Sequence, residues 1–439
     1  MRVLIPTDAF PPVCGGSGWS TYELARGLRA RGHDVTIVQP VPGQPAGVTE
    51  TVYDGFTVRR FGAPAPDIPY VRNYYKSERL TRSLTAYLST LLQWDPHDIV
   101  HTQHVMTTLA AIEAAKQARV PVVATVRDYW PVCYWSDLLH TSSGLELCPE
   151  CTVENMRVCI QPRAGAFWPL ALPMIPYMRA NLLAKRTGLA RADAVIAVSR
   201  TIAADLKARA PELASTRMEV IPNPVNVTAL RAAAEAGGGR SEVGGGRSEV
   251  GGGRSEVGGR ASEVGPYALY LGKLAPNKGT SFLIDVVTRA ELTWQLVIAG
   301  DGPDRAALER DARASGRNVE FTGWVDKDAA AGLIAGASML IFPSRGPESL
   351  SRVLIEASAL GVAIAAMDTG GTRDIIEPDV TGLLSTSPDG LANDVRRLAA
   401  DPALRARLGE AARRKVEREF DAAGVIARIE ALYLELTGA

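Results

Sequence analysis

The chain has 439 residues, of which 46% are hydrophobic. This length exceeds what a single hydrophobic core usually organises, so it favours two domains. Its 48 lysine and arginine residues balance 48 aspartate and glutamate residues, so no long-range field attracts a polyanion and we expect no nucleic-acid partner. No run of about eighteen apolar residues is present to form a membrane-spanning helix, and Met1 to Pro6 is typical of a buried strand rather than a signal peptide. We therefore expect a cytoplasmic protein.

The first half alternates apolar runs with amphipathic helical patterns, as a parallel sheet covered on both faces requires. A strand at 2–6, a helix at 18–31 and a strand at 34–39 make the first βαβ unit. Further strands are predicted at 98–101, 120–125, 194–198 and 218–221. These patterns predict an N-terminal Rossmann-like domain over residues 1–225.

A glycine-rich repeat separates the two halves. The sequence Gly-Gly-Gly-Arg-Ser-Glu-Val recurs from Gly237 to about Gly265. A seven-residue period can indicate a coiled coil, but three glycines and one valine per repeat supply neither two apolar seam positions nor a stable helix. We interpret residues 226–265 as a flexible insertion and linker.

The second half repeats the α/β pattern, with strands predicted at 267–271, 294–299, 319–322, 339–342 and 362–366. It indicates a second doubly wound domain over residues 266–420. The last segment, 421–439, forms a helix with one apolar stripe, which must pack against the second domain or back on the first.

The most informative stretch runs from Pro343 to Ala357, out of a predicted strand and into a helix. Ligands bind at this edge of open α/β sheets. We expect Glu348 at the helix start and Glu356 two turns later, about 12 Å away at the rise of an α-helix. The carboxylates could accept hydroxyl hydrogen bonds while the helix N-terminus faces a phosphate. A helix cap followed by a solvated glutamate is the alternative.

Two lysines, Lys273 and Lys278, follow the first strand of the second half. They would place positive charge at the same edge of the sheet, where it could neutralise a diphosphate. The alternative is a pair of solvated loop lysines.

Four of the five cysteines, Cys133, Cys148, Cys151 and Cys159, crowd into one segment of the first half. In a reducing compartment this clustering favours metal ligands or free thiols over disulfides. The Cys148-Pro-Glu-Cys151 spacing and the total of four suit a structural zinc ion, and unliganded thiols or another cluster are the alternatives.

Residues 167–186 are apolar and aromatic, then basic, and their three prolines preclude a continuous helix. The segment suits either a shallow contact with a membrane surface or a buried connection beneath the first sheet.

Six motifs, in order, resemble those of the retaining GT-B glycosyltransferases, a group that includes bacterial mannosyl- and glucosyltransferases and sucrose synthases. They are Phe10-Pro-Pro with Gly15-Gly16, Gly32-His-Asp-Val35, Val220-Ile-Pro-Asn223, the lysine turn, the stretch from Glu348 to Glu356, and Asp368-Thr-Gly-Gly371. The resemblance covers nearly the whole chain outside the repeat. It implies an α/β fold of two Rossmann-like doubly wound domains facing across a cleft, the first for the acceptor and the second for a nucleotide-sugar.

The resemblance also implies roles for residues of the second domain. Glu348 matches the first glutamate of the family's paired-glutamate motif, which holds the donor sugar, and Glu356 matches the second, which binds the ribose. Lys273 and Lys278 match the diphosphate clamp, although the family usually has arginine at the first position.

Three amides that follow Glu348 would approach the sugar and the phosphate, and they belong to Ser349, Leu350 and Ser351. The Ser349-Leu350 pair stands where Gly-Phe is commoner in the family. The identity of the donor sugar therefore stays open.

In the first domain, Gly16 matches the glycine loop that closes over the phosphates. His104 resembles the histidine that the family places beside the reacting centre, although its spacing differs by one residue and a structural histidine is the alternative. Arg127 and Asp128 follow a predicted strand and are candidates for holding the acceptor, with a surface ion pair as the alternative.

Together these features predict a retaining hexosyltransferase that moves a hexose from a UDP- or GDP-sugar to a glycan or lipid-linked acceptor. The location would be the cytoplasm or the inner face of the membrane, with no cofactor required for catalysis. A nucleotide-sugar epimerase and a non-catalytic sugar-nucleotide-binding protein stay as alternatives. A nicotinamide dehydrogenase is disfavoured because the turn Cys14-Gly-Gly-Ser-Gly-Trp lacks the third glycine of the dinucleotide fingerprint.

Overall fold

The structure is a computed structural model that describes residues 1–67, 74–140, 147–237 and 265–438. The chain divides into two compact units: Met1–Pro224 with Ala422–Ala439 forms unit 1, and Val225–Asp421 forms unit 2. Each unit is built around its own mostly parallel sheet, so the predicted α/β class is confirmed. The glycine-rich repeat that was predicted to be flexible lies almost wholly outside the described residues.

Fourteen strands are described: β1 Arg2–Pro6, β2 Asp34–Pro42, β3 Gly47–Tyr53, β4 Phe56–Ala63, β5 Ile99–Thr102, β6 Val122–Val126, β7 Ala194–Ala197, β8 Met218–Val220, β9 Tyr267–Leu271, β10 Gln295–Ala299, β11 Val319–Gly323, β12 Met339–Phe342, β13 Ile364–Met367 and β14 Leu383–Ser385. The described α-helices are α1 Gly16–Ala30, α2 Leu80–Trp94, α3 Val105–Ala118, α4 Val153–Ala164, α5 Trp168–Ala171, α6 Ile175–Leu189, α7 Arg200–Arg209, α8 Val227–Gly237, α9 Leu283–Arg289, α10 Arg305–Ser315, α11 Lys327–Gly336, α12 Arg352–Ala359, α13 Thr372–Ile375, α14 Pro388–Ala400, α15 Pro402–Glu419 and α16 Ala422–Thr437.

The sheet of unit 1 has the order β3-β4-β2-β1-β5-β6-β7-β8. All neighbouring strands are parallel except β3, which pairs antiparallel with β4. The β3–β4 hairpin is absent from our predictions, although Asp54 and Gly55 both have positive φ, as a two-residue hairpin turn requires. Strand β3 has no apolar alternation strong enough to reveal it, because its residues are almost all exposed.

The sheet of unit 2 has the order β11-β10-β9-β12-β13-β14 and is parallel throughout. This is the strand order of a dinucleotide-binding Rossmann sheet. Unit 2 begins earlier than predicted, because residues 227–237, assigned to the flexible linker, form helix α8. Leu230 and Ala234 of this helix are buried, so its apolar stripe packs into the unit.

The C-terminal helix α16 belongs to unit 1. Ile426 lies against Gly27 of α1 so closely that a Cβ at Gly27 would stand 2.6 Å from its Cγ1 atom. Val425, Ile429 and Tyr433 are buried in the same core as the strands of unit 1. The apolar stripe of the last segment thus completes the core of the first sheet, although unit 2 precedes it in sequence.

Candidate functional site

In each sheet the strand order reverses beside its first strand, and such a switch point is where open α/β sheets bind ligands at the carboxyl ends of the strands. The switch point lies between β9 and β12 in unit 2 and between β1 and β5 in unit 1. Most of the predicted donor-site side chains, together with His104, follow one of these four strands.

Glu348 lies in the turn between β12 and α12 and is 8% exposed. Lys278, in the turn after β9, donates from Nζ to Glu348 Oε1 at 2.6 Å, and Ser344 Oγ donates to the same oxygen. A charge-assisted hydrogen bond at this depth holds the carboxylate in one orientation. The structure therefore places one of the two predicted lysines directly on the first predicted glutamate.

The prediction that Glu348 begins the helix is wrong, because α12 begins at Arg352. Residues before it hydrogen-bond to neighbouring turns instead of to a helical ladder. The amides of Arg345 and Gly346 both donate to the Asn277 carbonyl, at 3.1 and 2.8 Å. The Glu348 carbonyl accepts from the Gly371 amide at 2.6 Å. The two glutamates are thus not separated by two turns of one helix.

The turns after β9, β12 and β13 pack closely against one another beside Glu348, and two glycines allow this packing. Gly279 has φ +68°, and a Cβ there would stand 1.9 Å from the Pro343 carbonyl oxygen. Gly370 has φ +52°, and a Cβ there would stand 2.2 Å from the Glu348 carbonyl oxygen. Only glycine fits both the backbone conformation and the approach at these positions.

Glu356 lies one helical turn into α12, where Arg352 donates to its Oε1 at 2.9 Å. Both side chains are mostly buried, so this i,i+4 pair is better shielded than a surface one. Lys273 is exposed, and its carbonyl accepts from the Tyr270 hydroxyl at 2.9 Å. Of the two predicted lysines, Lys278 forms a described ion pair with a glutamate, and Lys273 does not.

The residues after Glu348 lead into the N-terminus of α12. Leu350 and Ser351 are buried, Ser349 is partly buried, and Ser351 occupies the N-cap position. The first amides of a helix have no partner within it and carry partial positive charge. The predicted amide contacts to a sugar and a phosphate stay a prediction.

In unit 1, Gly16 is the first residue of α1, with Gly15 as its N-cap. The glycine loop therefore runs directly into a helix N-terminus that has no acidic residue in its first turn. A helix N-terminus of this kind can bind an anion, and the predicted role of Gly16 in closing over the phosphates requires such a site.

His104 occupies the N-cap position of α3, at the end of β5. The Asp8 amide donates to His104 Nδ1 at 3.3 Å, and the Thr7 hydroxyl lies 3.0 Å from the same nitrogen. Because an amide can only donate, this network assigns the proton of the neutral ring to Nε2. Burial, and then the charge of Arg127, hold the pKa of His104 well below its usual value. Among the described residues, the buried Nε2 atom has no hydrogen-bond partner.

Asp8, after β1, is a residue that our sequence reasoning missed. Its Oδ2 accepts from the Met106 amide at 3.1 Å, while the buried Oδ1 lacks a partner among the described residues. Burial, with a smaller contribution from the Asp128 carboxylate, raises the pKa of Asp8 to about 7. The signal that could have found it is its place, two residues beyond the first parallel strand.

Arg127 and Asp128 follow β6, and neither is an exposed surface residue, as the alternative role assumed. Arg127 is 8% exposed and donates from Nε to Asn223 Oδ1 at 2.8 Å and from Nη1 to the Gln103 carbonyl at 3.0 Å. Asp128 accepts from the Trp130 amide at 2.8 Å, and burial raises its pKa. Both groups are held by the interior of unit 1.

The four clustered cysteines are free thiols, and three of them are buried. Burial, and then the neighbouring thiols of Cys133, Cys148 and Cys159, raise the pKa of Cys151 to about 12. All four sulfurs are therefore near one another. Within the described ranges, however, no three His, Cys, Asp or Glu side chains are arranged to hold a metal ion.

Residues 167–186 form several short helical pieces and most of α6, so the segment is not one continuous helix, as its three prolines predict. Phe167 and Leu170 are 72% and 77% exposed, whereas Ile175, Met178 and Leu182 pack in a small separate core. The segment is thus neither wholly buried nor wholly exposed. None of the described helices combines the length and the apolar character needed to cross a membrane.

The chain is similar to known proteins in sequence and in fold. Residues 14–229 match the family described as Glycosyltransferase Family 4, and residues 265–401 match Glycosyl transferases group 1. The α-D-kanosaminyltransferase of Streptomyces kanamyceticus is 34% identical over 150 residues, which cover 32% of this chain and 38% of that protein. The chain thus spans well under half the length of that relative.

A longer alignment joins the chain to the GDP-mannose-dependent α-mannosyltransferase of Mycolicibacterium smegmatis, at 27% identity over 95% of this chain and 92% of that protein. Among solved structures, the sucrose-phosphate synthase of Thermosynechococcus elongatus superposes with a TM-score of 0.69 at 20% identity, covering 100% of both chains. This likeness shows the fold, a pair of parallel-sheet α/β domains of the GT-B type. The chain belongs to the group 1 and family 4 glycosyltransferases.

Proposed function

We propose that the protein transfers a hexose from a nucleotide-diphosphate sugar to an acceptor hydroxyl, with retention of the anomeric configuration. The observation that carries the proposal is the ion pair between the partly buried Lys278 and the buried Glu348 at the switch point of the unit 2 sheet. Family membership supplies the reaction class. The pair supplies a fixed acceptor for sugar hydroxyls and a cation beside it.

The donor is held by unit 2 in this proposal. Breaking the anomeric bond leaves an electron pair on the diphosphate, and the charge of Lys273 and Lys278 would stabilise it together with the N-terminus of α12. Preorganised groups of this kind lower a barrier because they need no reorientation as charge develops. Glu348 accepts from hydroxyls of the hexose, and Glu356 from the ribose. The amides of the residues between them complete the contact.

A UDP- or a GDP-sugar is the proposed donor. Support comes from the mannosyltransferase relative, whose name records dependence on GDP-mannose. Either diphosphate would present the same charge to the two lysines. The base and the hexose are therefore to be found by a panel of donors.

The acceptor is held by unit 1, near Arg127 and Asp128, and is a glycan or a lipid-linked sugar of the cell surface. Exposed Phe167 and Leu170 would make a shallow contact with the inner face of the membrane. Vesicle sedimentation tests this point: replacing both residues by serine should release the protein from anionic vesicles. Trp94→Ser, at an equally exposed aromatic residue elsewhere in unit 1, is the control. Equal sedimentation of wild type and the double variant would contradict the membrane contact.

Catalysis in this proposal requires no cofactor. The structural zinc ion stays a prediction, supported by thiolate donors that suit zinc and by the proximity of four sulfurs. The thiol side chains would have to rotate toward a common point to bind it. Metal analysis of protein purified without added zinc tests the prediction, and one equivalent that is lost in Cys151→Ser is the expected result.

The decisive experiment follows thermal stabilisation by a panel of nucleotide sugars, because a ligand that binds the folded state raises the melting temperature. One or a few donors should stabilise the protein, whereas nicotinamide cofactors should not. With the stabilising donor and an acceptor, the anomeric configuration of the product is then read by NMR. Conversion of the donor without any acceptor would indicate an epimerase, and binding without turnover would indicate a non-catalytic protein.

A further inference from the structure

The switch point of unit 1 contains three buried polar atoms without partners among the described residues: Asp8 Oδ1, His104 Nε2 and Gln103 Oε1. Asp8 follows β1, while Gln103 and His104 follow β5, so they stand where Lys278 and Glu348 stand in unit 2. Leaving a buried polar group unsatisfied destabilises the folded chain, so a site with three such atoms is expected to receive a ligand or water.

The unsatisfied atoms are of opposite kinds. His104 Nε2 carries a hydrogen and donates, because its Nδ1 accepts from the Asp8 amide. Gln103 Oε1 is an amide oxygen and can only accept a hydrogen bond. Asp8 Oδ1 likewise only accepts when the Asp8 carboxyl group is ionised. A hydroxyl group both accepts and donates, so it satisfies this combination. A phosphate, which offers only acceptors, would face the Asp8 carboxylate unfavourably.

We propose that Asp8 and His104 bind a hydroxyl group of the sugar acceptor, with Asp8 Oδ1 as the hydrogen-bond acceptor and His104 Nε2 as the donor. The inference rests on the proposed function, which assigns the acceptor to unit 1. Asp8 is fixed for this role because its other oxygen is held by the Met106 amide at the first turn of α3. A buried water could make the same bonds, and it is the alternative that the experiment must exclude.

The substitution Asp8→Asn separates the two roles of this side chain. The asparagine oxygen can still accept from the Met106 amide, so the contact with α3 is retained. Its NH2 group then replaces Oδ1 and turns an acceptor into a donor. Asp401→Asn is the matched control, because Asp401 caps α15 through the Leu404 amide at 2.9 Å in unit 2.

Binding of methyl α-D-mannopyranoside, methyl α-D-glucopyranoside and myo-inositol to the full chain is measured by saturation-transfer NMR titration. We expect at least one probe to bind wild type and Asp401→Asn equally, and Asp8→Asn to weaken it roughly tenfold or more, as for a hydrogen bond to a charged group. Stabilisation by the nucleotide-sugar donor should be unchanged in all three proteins.

The pH dependence gives a second readout that a purely structural role would not change. Asp8 faces the neutral His104 on the α3 side and the Asp128 carboxylate after β6, with Arg127 beside the histidine. Because the pKa of Asp8 is raised to about 7, its ionised fraction rises between pH 6 and pH 8. Probe binding should strengthen over this interval in wild type and stay constant in Asp8→Asn.

Equal probe binding by wild type and Asp8→Asn would mean that a buried water alone occupies the site, and would overturn the proposal. Failure of all three probes to bind wild type would overturn it as well. A loss of donor stabilisation in Asp8→Asn, with probe binding intact, would assign the residue to the donor instead. Failure of every donor to stabilise wild type contradicts the proposed function, and the sugar titration still decides the role of Asp8.

Discussion

Lys278 donates from Nζ to Glu348 Oε1 at 2.6 Å, although 70 positions separate the two residues in sequence. The contact joins the turns after β9 and β12, which are neighbouring strands in the unit 2 sheet. Ser344 donates to the same carboxylate oxygen, so the pair has one defined geometry.

Glu348→Gln should lower kcat by roughly a hundredfold, because an amide cannot offer the same fixed charge to sugar hydroxyls and to Lys278. Lys278→Met should have an effect of similar size. The double variant should be little worse than either single one, since each substitution removes the same pair. Steady-state kinetics with a saturating donor measure this, and Glu410→Gln on the exposed face of α15 is the control. Strictly multiplicative effects would show that the two residues act independently.

Glu356→Ala should abolish thermal stabilisation by the donor if this carboxylate binds the ribose. The ion pair between Arg352 and Glu356, at 2.9 Å, would then be lost, so the unliganded protein should also melt at a slightly lower temperature. Arg352→Met provides the comparison, because it breaks the same ion pair and keeps the carboxylate. Donor stabilisation that survives in Glu356→Ala would remove this residue from the site.

Gly370→Ala should destabilise unit 2 more than Gly316→Ala does. Both glycines have positive φ, at +52° and +64°, so each alanine adds the same kind of backbone strain, about 1–2 kcal/mol. Only at Gly370 does the new Cβ meet a backbone oxygen, that of Glu348, whereas Gly316 faces open space. Chemical unfolding compares the two variants. Equal losses would mean that the turns after β12 and β13 separate easily, contrary to the described packing.

Tyr433→Phe should destabilise unit 1 by about 1–3 kcal/mol, the cost of leaving a buried polar group without its partner. The Tyr433 hydroxyl is hydrogen-bonded to His101 Nδ1, and both side chains are fully buried. Tyr74→Phe, at an exposed tyrosine, should change the free energy of unfolding little. If the two substitutions cost the same, α16 contributes to the core through its apolar residues alone.

Acid should destabilise unit 1 through His101. Burial, and then the charge of Arg127, lower the pKa of this histidine to about 3. Between pH 6.5 and about 3 the unfolded chain therefore binds a proton at His101 that the folded chain does not bind. The free energy of unfolding falls as the pH is lowered through this interval. The slope for one such group is about 1.4 kcal/mol per pH unit. Urea unfolding at several pH values should show a shallower slope for His101→Gln than for wild type.

Much of the fold follows from local patterns in the sequence. Apolar runs of four to six residues predicted eleven strands, ten of them within two residues of their described bounds, as at 2–6 and 339–342, because burial on both faces leaves a clear signal. The exposed hairpin strand β3 and the helix α8 gave weaker signals and were missed. The donor-site residues were predicted because Gly, Glu and Lys at strand ends match a family pattern.

Other features could not be read along the chain. Nothing in the local sequence indicates that Glu348 lies before α12 rather than at its first position. The hydrogen bonds that keep this segment out of the helix involve Asn277 and Gly371, which lie in other turns. Likewise, Asp8 looks like any loop aspartate until the sheet order brings β1 beside β5 and seats its side chain near His104. Its unsatisfied oxygen exists only in the folded chain.

The sequence by itself determined the class of each half, the place of the glycine-rich repeat and the candidate residues for holding an activated sugar, because periodicity and residue type act over a few neighbours. Only the tertiary structure decided that Lys278 is the lysine on Glu348, that α16 closes the core of unit 1, and that Asp8 and His104 share a switch point. These outcomes depend on strand order and on buried hydrogen bonds between segments far apart in sequence, and such contacts form only when the sheets assemble.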